Sequence, residues 1–229
     1  YSASLSAIAI GDLGEFDRKH LEAEFGPAGQ SFEALTKDSG LETSWRATFE
    51  APSAAIVEAG VAADLLVVGP GDHSLLSDRR SAAAGDIVMQ TGRPVLVVPD
   101  SSESVPVSAN VLVAWKNTSE AQRALADAVP FMKQAGSVIL AHVKEMPEAS
   151  PDLTDAIGFL LRHGVAAKAH SIAPSGDGVG TQLLDLASRS QTDLIVAGAY
   201  GHSKLREWAF GGVTRDLLTR SKIPCLLSH

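Results

Sequence analysis

Three glycines, Gly198, Gly201 and Gly211, stand in a G-x2-G-x9-G spacing between an apolar run at 194–197 and a segment of helical pattern. A strand that enters a turn of low side-chain bulk leaves backbone N–H groups accessible, and a following helix N-terminus adds unpaired donors of its own. That arrangement suits a phosphate. The glycines also have a purely conformational reading, since they permit a tight turn. In the loop between them, His202 either reaches a phosphate or, like its counterpart His73, caps the strand end or makes an inter-domain contact, and Lys204 and Arg206 are placed to close over a triphosphate. Solvated loop charges account for the two cations as well.

Other chemistry is sparse. The indoles of Trp115 and Trp208 offer flat faces to a base, with core packing or an interface as the alternative. Cys225 lies in an apolar strand pattern, where a thiol behaves as a small buried hydrophobe. There is no G-x4-G-K-[ST] loop, no G-x-S-x-G elbow and no G-x-G-x-x-G after a strand. The histidines show no metal-ligand spacing and a single cysteine builds no thiolate site, so the only metal to expect is Mg²⁺ accompanying ATP. Asp152, Asp155, Asp177 and Asp185 form no convincing acid/base pair and read as helix caps and solvated faces. Nothing here would cleave a bound nucleotide quickly.

The elements that must position these residues follow from hydrophobic pattern. Apolar strand runs fall at 64–69, 95–98, 111–115, 138–143, 194–197 and 223–227, with weaker alternation at 44–49 and 166–172. Amphipathic helices fit at 15–39, 53–62, 119–133, 153–163 and 181–189, with Ser119 and Gln122 as a capping box and Gly136 and Gly164 as stops. Alternating strands and helices of this kind predict a parallel sheet with crossover helices.

The chain also repeats itself. From Asp64 to Pro94 and again from Asp193 to Pro224 it runs strand, turn, helix and then a proline before a last strand. His73–Ser74 and His202–Ser203 stand at one offset from Asp64 and Asp193, so duplication is the better account. In the first copy Pro70 and Asp72 interrupt the turn and no third glycine is in register, so its site is expected to be dead. A polar, proline-flanked segment at 99–106 reads as a linker, which divides the chain into residues 1–99, a linker at 100–109, and 110–229. The second unit has about five strands and the first about three, with no recognisable opening strand, helix or second strand in 1–38. An incomplete sheet leaves unpaired edges, and residues ahead of Tyr1 are expected to supply them.

Composition bounds the function. At 229 residues, 45% hydrophobic and 20% charged, the chain is an ordinary globular protein of one or two domains. A net charge of −8 without a basic stripe argues against nucleic acid and anionic membrane as partners. No apolar run is long enough to span a bilayer and no signal peptide is visible, so a cytoplasmic location is the expectation.

The glycine motif with the following G-V-T-R-D-L-L, the last strand opening at Pro224, and the repeat opening N-V-L-V-A-W-K-N-T-S-E-A from Asn110 together resemble the universal stress protein superfamily in its tandem, two-domain form. The resemblance covers 47–99 and 110–229. It implies two adenine-nucleotide alpha hydrolase-like domains, each an open five-stranded α/β parallel sheet, that dimerise through the last strand or pair within the chain. It further implies ATP on the glycine motif. Gly198 and Gly201 would let backbone approach ribose and phosphates, Gly211, Gly212, Val213 and Thr214 would open the last helix under the phosphate tail, and Ala114, Trp115, Lys116 and Val143 would lie nearest ribose and adenine. Two positions depart from the pattern: Gly212 stands where nucleotide-binding relatives carry Ser or Thr, and Lys116 where they carry an acid. The expected function is ATP-linked stress response or signalling without fast catalysis; a nucleotide-free interaction scaffold and a slow ATPase are the alternatives.

Overall fold

Runs of Val, Ile and Leu that are long enough for a strand and too short for a helix become sheet, and the amphipathic stretches between them become its covering helices. In the computed structural model the described residues are 4–10, 18–49, 52–70, 84–102, 108–143, 153–173, 175–200 and 212–229. The first half runs β1 (Ser4–Ile10), α1 (Arg18–Thr36), β2 (Glu42–Thr48), α2 (Pro52–Ala59), β3 (Leu66–Val68), α3 (Ala84–Thr91) and β4 (Val95–Val97). The second runs β5 (Asn110–Ala114), α4 (Ser119–Asp127), α5 (Val129–Met132), β6 (Ser137–Val143), α6 (Thr154–Arg162), β7 (Lys168–Ile172), α7 (Val179–Arg189), β8 (Leu194–Gly198), α8 (Gly212–Arg220) and β9 (Cys225–Ser228).

Among the described residues the fold is mixed α/β, with a seven-stranded sheet of order β3-β4-β9-β8-β5-β6-β7 and a separate parallel pair, β1-β2. Every neighbouring pair in the large sheet is parallel except one: β4 and β9 run antiparallel, with Leu96 opposite Leu226. That single junction stitches the two halves into one sheet.

Side chains alternate across the strands and build a core on each face. One holds Val111, Val113, Leu140, Val196 and Leu160, under α4, α5 and α6. The other holds Leu112, Ile195, Leu227 and residues of α7 and α8, and it also takes Ile87 and Val88 from α3. The second core therefore belongs to both halves.

Several sequence expectations change. The helix expected over 119–133 breaks at Ala128, because Pro130 has no N–H to continue the ladder. The capping box expected at Ser119 does not form. Thr118 is the cap, its Oγ1 accepting from Ala121 N–H at 3.3 Å, while Gln122 instead donates to Asn117. Residues 1–38, expected to carry no recognisable opening strand, contain β1 and all of α1, the latter inside the helix expected at 15–39.

Candidate functional site

The chain leaves β5 toward β6 on one side and pairs with β8 on the other, so the sheet changes direction between β5 and β8. In open parallel sheets the crevice beyond the strand ends at such a reversal is the place where ligands bind. Ala114 and Gly198 close the two strands there, and α8 begins close by with Gly212.

Gly198 has a reason to be glycine that the sequence did not show. A Cβ built on it would collide with the backbone of Ala121 and come within 2.6 Å of the carbonyl carbon of Glu120. Its missing side chain admits the first turn of α4 against β8. Gly212 is the opposite case: a Cβ there would meet no atom within 4 Å, so the first turn of α8 opens on space. Gly201 and Gly211, together with His202, Lys204, Arg206 and Trp208, lie outside the described residues, as do Asp72, His73 and Ser74 of the first copy.

Thr214 is buried, and its Oγ1 accepts from the backbone N–H of Tyr200 at 3.3 Å. This bond ties the exit of β8 to the first turn of α8, with Val213 half-buried between the exposed Gly212 and Thr214. Tyr200 itself has φ +58°, a left-handed backbone unusual for a residue with a side chain. On the other strand, Ala114 is half-buried and Lys116 exposed. Trp115 is 8% exposed and belongs to the core under α4 and α6, its backbone N–H donating to the Ala141 carbonyl at 2.7 Å. Val143 ends β6 opposite Ile172.

Sequence reasoning missed His142 and Glu120. His142 follows Ala141, the register partner of Ala114, and so sits beside Trp115. Its Nδ1 lies 3.1 Å from the Trp115 carbonyl, which only accepts; Nδ1 therefore carries the proton and Nε2 of the neutral ring is left as an acceptor. Glu120 occupies the first turn of α4 beside Gly198, and a hydrogen bond from the backbone holds its carboxyl below the usual range. Among the described residues, Trp115 Nε1, Glu120 Oε2 and His142 Nε2 are the buried side-chain polar atoms without a hydrogen-bond partner. All three belong to residues just past β5, near the end of β6, or in the first turn of α4, which packs against β8. No spacing in the sequence marks them, since each becomes notable only when strands and α4 bring them together.

The described residues contain no group of three or more His, Cys, Asp and Glu able to hold a metal ion, and no helix among them is long and apolar enough to cross a membrane. Cys225 is buried, and desolvation pushes its thiol up to about 12.

The universal stress protein family model matches residues 108–229. A universal stress protein from Archaeoglobus fulgidus DSM 4304 is similar in structure, with a TM-score of 0.74 at 17% identity, covering 99% of this chain and 86% of that one. A protein of unknown function from Pseudomonas aeruginosa PAO1 gives a TM-score of 0.61 at 13% identity, covering 99% of this chain and 82% of its own. No curated protein is similar enough in sequence to count as a match. With the family model spanning more than half of its residues and the same fold in these structures, the chain belongs to the universal stress protein family.

Proposed function

We propose that this chain is a tandem universal stress protein that holds ATP in its second half and acts by occupancy rather than turnover. The observation that carries the reading is that three buried polar atoms without a partner, Trp115 Nε1, His142 Nε2 and Glu120 Oε2, belong to residues just past β5, near the end of β6 and in the first turn of α4. Buried polar atoms without partners ask for one, and a donor and two acceptors are left over on residues near the strand ends where this sheet type takes ligands. The first turn of α8 supplies the complementary part, a positive helix end with room at the Gly212 Cβ position for phosphate. Lys116, exposed at the end of β5, adds positive charge at the same edge. Mg²⁺ would arrive with the nucleotide, held by its phosphates.

The tandem reading is supported by strand order. In the first half β1-β2 and β3-β4 repeat β6-β7 and β8-β9 in sequence and direction, with no counterpart of β5 among the described residues. A partner protein would read the occupied state.

Titration with ATP by calorimetry tests the claim. Gly212→Asp is the control: there is space for the side chain, an acidic residue in a first helical turn stabilises the fold, and the same charge repels phosphate. Wild type should release heat and Gly212→Asp should not, with no loss of thermal stability. Absence of heat from wild type at millimolar ATP sinks the reading. Gly198→Val is unsuitable as a control, because it would drive a side chain into the backbone of α4.

One observation favours a nucleotide-free scaffold instead. The close approach of α4 already explains Gly198, and Gly212 lacks the hydroxyl expected of nucleotide-binding relatives. That reading predicts partner capture that Gly212→Asp leaves unchanged.

A further inference from the structure

Tyr200 is the last described residue before the glycine loop, and it reaches into the other half of the molecule. A Cβ added to Gly85, in the first turn of α3, would collide with the Tyr200 hydroxyl and lie 3.6 Å from Leu218 of α8. Burial and the neighbouring charge of Asp86 push the Tyr200 phenol up to about 12, consistent with a hydroxyl enclosed at the seam between α3 and α8. On its backbone side the same residue is held at φ +58° with its N–H on Thr214. Gly71 stands at the same offset from Asp64 as Tyr200 does from Asp193, so the first copy has no side chain to return the contact. Alongside the β4–β9 junction and the shared core, the halves thus have a one-sided contact made by a tyrosine of the second.

We infer that the first half is a working part of the second half's ligand site: Gly85 fixes the Tyr200 side chain, and Tyr200 in turn sets the backbone that leads into the glycine loop. The inference rests on the nucleotide reading above. It gives a reason for the chain to keep a half whose own turn is interrupted by Pro70. Tyr200 is a positioning residue here, acting on the ligand through the backbone it holds.

The test is a double-mutant cycle on full-length protein, with ATP affinity from calorimetry and stability from urea denaturation measured separately. Gly85→Ala should weaken ATP binding roughly tenfold, within the range that packing-mediated coupling carries. Tyr200→Phe alone reports what the hydroxyl contributes, and adding Gly85→Ala to it should cost no further affinity, because the methyl then occupies the space the hydroxyl vacates. Should Gly85→Ala fail to fold, Tyr200→Gly opens the same contact from the other side and relieves the positive φ, so a loss of affinity there cannot be blamed on strain. Equal affinity in wild type and either single disrupting variant overturns the inference while leaving nucleotide binding intact. A double variant weaker than Tyr200→Phe does the same. Wild type that binds no ATP overturns both readings together.

Discussion

Glycines that look alike in sequence have different jobs, and the difference decides what each mutation reports. Gly198 is glycine because α4 lies against it; even a methyl group meets backbone there. We expect Gly198→Ala to destabilise the fold by about 1–3 kcal/mol, the usual cost of overpacking, seen as a lower urea midpoint at unchanged slope. Gly212 has open space, so Gly212→Ser should gain about 0.5 kcal/mol of helix propensity and restore a hydroxyl at the phosphate end. A hydroxyl donating to an ionised phosphate contributes about 1.5 kcal/mol or more, which corresponds to at least roughly tenfold tighter ATP binding by calorimetry. Unchanged or weaker binding would mean that the phosphates do not lie over this turn. The sequence showed both glycines as members of one motif. It did not separate them, because the collision at Gly198 comes from Glu120 and Ala121, far away in the chain.

Elements were more legible than contacts. β5, β6 and β8 carry Val, Ile and Leu on both faces and declared themselves as buried parallel strands. β1 did not, since Ser and Ala fill most of its positions and its larger residues, Leu5, Ile8 and Ile10, do not alternate consistently. The tightest case is β9. Burial raises the Cys225 thiol from 9.0 to about 12, while at the β8 exit burial followed by Asp86 raises the Tyr200 phenol from 10.0 to about 12. Both groups stay protonated in the native state at pH values where the unfolded chain has released the proton. Stability is therefore fully present below pH 9 and falls as pH rises toward 12. Urea midpoints measured across that window should decline. In Cys225→Ala the decline should start nearer 10, where Tyr200 alone remains. An identical onset in the two proteins would show that the thiol is not the group responsible. At the start of α4, Thr118→Ala removes the cap on Ala121 N–H and should cost about 1 kcal/mol in the same assay.

At the scale of the molecule, the antiparallel junction of β4 with β9 decides how the last strand is used. An uncovered apolar edge strand invites pairing with another chain. Here Val95, Leu96 and Val97 stand opposite Leu227, Leu226 and Cys225, and Ile87 and Val88 of α3 close the core beneath. The edge is satisfied inside the chain, so light scattering should return the single-chain mass of 23.9 kDa. A fragment limited to the family-matched residues 108–229 loses β4 and α3 together, and both the edge of β9 and the face of α8 become exposed. Leu226 lies at the centre of the native antiparallel register, which lets two copies of β9 pair about that residue with their sides exchanged. The fragment should therefore scatter as a dimer at concentrations where the full chain is monomeric, and Leu226→Lys in the fragment should abolish that dimer. A monomeric fragment would mean that the seam contributes little, and that the first half is held by something other than the strand edge.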